Sequence, residues 1–80
     1  MKDLCSLQIK LARVGLGWTI DKLADLSGLS WVNIQNIEKN DDYFDRKKDH
    51  AKILFNLFND HNVEFCYEED YEPFVKIKKK

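Results

Sequence analysis

The segment from Thr19 to Glu38 leaves this chain few ways to fold. Thr19 can cap a helix, its hydroxyl accepting from a first-turn amide that has no partner within the helix. Leu23 and Leu26 then recur at helical spacing on an inward side, and Ala24 is small enough for a neighbouring helix to come close. Gly28 can take the left-handed backbone that ends such a helix. Leu29 plugs the bend, and Ser30 caps a second helix whose inward side is Ile34 and Ile37. The pattern predicts a helix, a short glycine-containing turn and a second helix.

Eighty residues make one small domain with room for a single core and little stability to spare. With 44% hydrophobic and 34% charged residues, the balance is that of a globular chain and not of a disordered one. Apolar runs fall short of the roughly 18 residues a membrane span needs, and the N-terminus lacks the charged-then-apolar plan of a signal peptide. A cytoplasmic protein with no membrane partner is expected.

Cys5 and Cys66 stand at opposite ends of the chain without a C-x-x-C pair, and His50 and His61 lack the spacing of zinc ligands. Two half-buried thiols, no metal and no cofactor are expected, since a disulfide is unusual in a reducing compartment. No Ser-His-Asp or Cys-His grouping and no phosphate loop is placed by motif, so the chain does not read as an enzyme.

The net charge of −1 is unevenly spread. Residues 1–39 carry five bases against four acids, residues 40–72 four bases against ten acids, and residues 73–80 four lysines. An anionic ligand is therefore directed to the N-terminal half or the tail, away from the acidic middle.

Ahead of the central segment, a first helix is expected from about Asp3 to Val14. Ile9, Ala12 and Leu16 form one inward stripe, while Leu4, Leu7, Leu11 and Val14 form a second on the opposite side. A helix apolar on two sides needs cover on both. Trp18 is expected to pack across the junction of the first two helices. Residues 39–45 read as an acidic loop anchored by Tyr43 and Phe44, with Asp45 capping a fourth helix that runs to about His61. Ala51, Leu54, Leu57 and Phe58 give that helix its apolar side.

Beyond Asn62 the period changes. Val63, Phe65 and Tyr67 alternate with polar neighbours, as do Val75 and Ile77 after an acidic turn at residues 69–73. An antiparallel hairpin would set Glu64 and Glu68 opposite lysines. A two-stranded ribbon needs support, and the second stripe of the first helix is the expected seat for Val63, Phe65, Val75 and Ile77, unless these residues dimerise the chain. The expected organisation is a helical unit over residues 1–62 and a hairpin over residues 63–80.

With Ile34 and Ile37 inward, Val32, Gln35, Asn36 and Lys39 make one outward stripe, flanked by Trp31 and Asn33. Asn and Gln can donate and accept at once, which suits adenine N6 and N7 in the major groove, and Val32 can meet a thymine methyl. Lys39 and the helix N-termini at Thr19 and Ser30 can reach phosphates. A solvated helix side with no ligand would look the same in isolation; the turn ahead of it favours DNA.

From about Gln8 to Val63 the chain resembles the helix-turn-helix domain of Cro proteins and phage repressors, the XRE-like family. The resemblance rests on Arg13, Gly17-Trp18-Thr19, Leu23-Ala24, Ser27-Gly28-Leu29-Ser30, Ile34, Ile37-Glu38 and the amphipathic helix that follows. It implies a mostly α fold of four helices, here followed by a C-terminal β-hairpin. It also implies a salt bridge between Arg13 and Glu38, base-reading roles for Trp31, Val32, Asn33 and Asn36, and backbone-contacting roles for Thr19 and Lys39. Two positions depart from the family's pattern: Ile20 stands where a phosphate-gripping Gln is usual, and Trp31 where Arg or Gln often opens the recognition helix.

The function expected is transcription regulation by a homodimer that reads operator half-sites in double-stranded DNA. The alternative is a protein-interaction module, an adaptor or antitoxin with weakened DNA binding, that meets its partner through Ile20 and Trp31. The operator, the regulated genes and the sense of regulation are not written in the sequence.

Overall fold

The computed structural model describes residues 4–39, 43–44 and 49–79. Among them the chain forms helices α1 (Ser6–Gly15), α2 (Ile20–Ser27), α3 (Trp31–Lys39) and α4 (Asp49–Asp60). The strands are β1 (Leu4–Cys5), β2 (Tyr43–Phe44), β3 (Val63–Cys66) and β4 (Phe74–Ile77). The fold is mostly α with a C-terminal antiparallel hairpin, as the periodicity predicts. No helix among the described residues is long and apolar enough to cross a membrane.

One core serves all the helices and the hairpin. Ile9 and Ala12 of α1, Leu23 of α2, Ile34 of α3, Leu54 and Phe58 of α4, and Val63 of β3 are all sealed from solvent. Phe65 and Val75 of the hairpin pack against that cluster. Phe65 lies stacked with Phe55 and edge-on to Phe58, with ring centroids 5.5 and 6.1 Å apart. The inward stripe of α1 is therefore as expected, with Leu16 half-buried beside it.

The seat of the hairpin differs from the expectation. Leu7, Leu11 and Val14 remain 38, 39 and 58% exposed, so their stripe is not the hairpin's support. The strands lie instead along Gln8, Ala12 and Gly15, one side of α1 at spacings of four and three. That side is low enough for a backbone to approach. A Cβ added at Gly15 would stand 2.5 Å from Cδ1 of Ile77, and the buried Gln8 amide donates to the carbonyls of Cys66 and Phe74, both at 3.1 Å. Its oxygen accepts from the Cys5 amide at 3.2 Å. One side chain thus ties the start of α1 to both strands.

Several local expectations need correction. α1 starts at Ser6, because Leu4 and Cys5 are extended and pair with Phe44 and Tyr43; Asp3 lies outside the described residues. Tyr43 and Phe44 thus form a strand within a segment read as loop; Asn40–Asp42 and the proposed cap Asp45 are also outside the described residues. Leu26 is 40% exposed, since Leu23 alone fills the centre beneath α2. Trp18 packs on α4, its ring 5.9 Å from Phe58 and 4.8 Å from His61. Within the hairpin Glu64 faces Lys76 as expected. Glu68 does not face a lysine: it lies past the end of β3, in the turn, where its carbonyl accepts from the Tyr71 amide. Cys5 is buried, Cys66 half-buried, and both are free thiols.

Replacing Gln8 by Ala removes the amide that joins α1 to β3 and β4. The expected cost is about 2–4 kcal/mol, from a lost buried side chain and stranded polar partners. Urea unfolding of the two proteins measures it, and a difference below about 0.5 kcal/mol would show that the hairpin is held by the apolar core alone.

Candidate nucleic-acid interface

The exposed side of α3 is set by four local devices in the segment before it. The Thr19 hydroxyl accepts from the Lys22 amide at 3.1 Å, starting α2 as the sequence suggests. α2 ends at Gly28, whose φ of 76° lies in the left-handed region and lets its amide return to the Ala24 carbonyl at 2.9 Å. Leu29 then turns inward onto the core while its amide donates to Ser27 Oγ at 3.1 Å. Ser30 Oγ accepts from the Asn33 amide at 3.1 Å and starts α3. Helix, three-residue turn and helix follow one another as expected.

α3 is locked on its inner side at both levels. Ile34 is fully buried and Ile37 packs half-buried against the core. Next to Ile37, Glu38 receives both forks of Arg13, Nε to Oε2 at 2.7 Å and Nη2 to Oε1 at 3.0 Å. The third guanidinium nitrogen, Nη1, donates to the Trp18 carbonyl at 2.8 Å. The two side chains are only 13 and 7% exposed. This bidentate pair joins α1, the end of the α1–α2 turn and the last turn of α3, where a planar guanidinium fits and an ammonium would not.

The residues singled out for DNA separate into two groups. Val32 is 57% exposed, and Gln35, Asn36 and Lys39 are exposed beside it, so the outward stripe is intact. Trp31 is 43% exposed at the helix start, and Asn33 is half-buried. Thr19 and Ser30 are exposed too, although each hydroxyl is engaged as a cap. Ile20 belongs to neither group. It is half-buried against the core, on the same side of α2 as Leu23 and Ala24, and does not form an exposed apolar tip. Lys22, exposed in the first turn of α2, is a further cation beside Thr19 that lies outside the α3 stripe; its place next to the cap is the sequence signal for it.

The charge on this surface is nearly balanced. With Glu38 neutralised by Arg13, Lys22 and Lys39 stand against Asp21 and Asp25, all exposed. A polar recess of about 250 Å³, lined by Asn59, Asn62, Val63, Glu64 and Lys78, belongs to the joint between α4 and the hairpin and includes no residue of α3. Comparison with protein-family models, curated proteins and solved structures finds no match to this chain.

Breaking the Arg13–Glu38 pair from one side strands a nearly buried charge. Arg13→Met and Glu38→Leu are each expected to cost about 3 kcal/mol, and the double variant to recover much of that loss. Thermal or urea unfolding of the four proteins measures the coupling. Costs that simply add would mean that the pair does not act as a unit.

Proposed function

We propose that the chain is an XRE-like, Cro/repressor-type regulator that binds operator DNA as a homodimer in the cytoplasm, with α3 in the major groove. The observation that carries this reading is the open stripe of Val32, Gln35, Asn36 and Lys39 on a helix whose opposite side is fixed by Ile34 and the Arg13–Glu38 pair. A base-reading helix needs both properties: unsatisfied hydrogen-bonding groups outward and no freedom to rotate.

Two copies are part of the proposal because a single copy offers few phosphate contacts. Lys22, Lys39 and the amides at the starts of α2 and α3 make a small set, and the nearby aspartates offset the lysines. Two α3 helices spaced about 34 Å apart would meet successive turns of one groove and join two modest affinities.

Exposed Trp31, Val32 and Leu26 favour a second reading, a protein-binding surface at the α2–α3 end. Titration of a labelled random-duplex pool at low salt separates the two. DNA binding that weakens with salt supports the first reading; no binding at any protein concentration, together with loss of a protein partner in Trp31→Ala, supports the second. For a DNA binder, Lys39→Ala is expected to weaken binding evenly across sequences and to reduce the salt dependence by about one unit of slope.

A further inference from the structure

The exposed side of α3 is chemically one-sided. Two primary amides, Gln35 and Asn36, and the branched side chain of Val32 occupy it, with the Trp31 indole, 43% exposed, at the helix start, and no guanidinium stands among them. The chain has two arginines, Arg13 and Arg46. Arg13 is fully engaged by Glu38 and the Trp18 carbonyl, and Arg46 lies outside the described residues. Lys39 is the cation of the stripe, but it is the last residue of α3, whereas a recognition helix meets base edges with its N-terminal part. That position suits a phosphate.

Guanine is most often read by a forked or ammonium donor to O6 and N7, and adenine by an amide that donates to N7 and accepts from N6. Thymine adds a methyl group that an apolar side chain can cover. Val32 and Asn36 are one helical turn apart, about 6 Å along the axis, which spans about two base-pair steps of 3.4 Å.

We infer that α3 selects half-sites with A·T pairs at adjacent or next-adjacent positions, Asn36 reading an adenine and Val32 covering the methyl of a thymine. This rests on the DNA-binding reading above and adds to it the class of base pair. Both side chains are exposed, so their replacement leaves the core of the helix untouched.

Selection from a random duplex pool with the full chain, followed by titration of the best duplex, tests it. The enriched half-site is expected to hold neighbouring A·T pairs. Asn36→Ala should lose about tenfold or more of the discrimination against guanine at one of them. Replacing the thymine by deoxyuridine should weaken the wild-type complex about fourfold, and leave Val32→Ala unaffected. Enriched half-sites built on G·C pairs, an unchanged preference in Asn36→Ala, or equal deoxyuridine sensitivity in wild type and Val32→Ala would overturn the base assignment while leaving DNA binding in place. No enrichment of any sequence would overturn both.

Discussion

The paired forks between Arg13 and Glu38 hold this small protein in register. An 80-residue chain has one core and little redundancy, so each helix must be fixed by few contacts. α3 spans nine residues and sends one fully buried side chain, Ile34, into that core. Ile37 packs half-buried beside it, but two apolar contacts on one side still let a short helix rotate a little about its own axis. The guanidinium prevents this by gripping the far end of α3 through two oxygens and the backbone of Trp18 through a third bond. Being nearly buried, the pair contributes orientation more than net stability. Its consequence is that Val32, Gln35, Asn36 and Lys39 share a defined direction outward.

The hairpin works by the same logic at the other end of α1. Gln8 joins three backbone groups from β1, β3 and β4, and Gly15 leaves room for the Ile77 side chain, whose Cδ1 would have to move if a Cβ stood there. Both polar anchors, Gln8 and Arg13, come from α1. That helix is the frame, and α3 and the hairpin are mounted on it. The Leu7, Leu11 and Val14 stripe stays open to solvent, so what the hairpin covers is the central core and the low Gln8–Ala12–Gly15 line.

Much of this was legible because the signals are local. Thr19, Gly28 and Ser30 each act within three or four residues, and the structure uses each as the residue type predicts. The alternation over residues 63–67 and 75–77 gave the hairpin, and the register places Glu64 against Lys76. What could not be read depends on distant partners. β1 and β2 have two residues each, too few for any period to show. Gln8 is a polar residue one turn from Ala12, and only its 58- and 66-residue reach to the hairpin reveals why. Leu26 and Ile20 exchange their expected places because helical spacing gives a side of α2 but not its edge: Ile20 packs inward and Leu26 stays 40% exposed. For the candidate site, the exposed stripe was legible from its spacing, whereas Lys22, outside that stripe, is signalled only by its place beside the Thr19 cap.

In the proposed DNA-bound state, α3 and the start of α2 form the surface that meets the duplex. Backbone amide chemical shifts of the labelled protein, followed while an A·T-rich duplex is added at low salt, test it most directly. Perturbations are expected to concentrate over residues 19–22 and 30–39, with α4 and the hairpin core little changed. Perturbations confined to the Leu7–Val14 side of α1, or no perturbation with this duplex or a random pool, would contradict it.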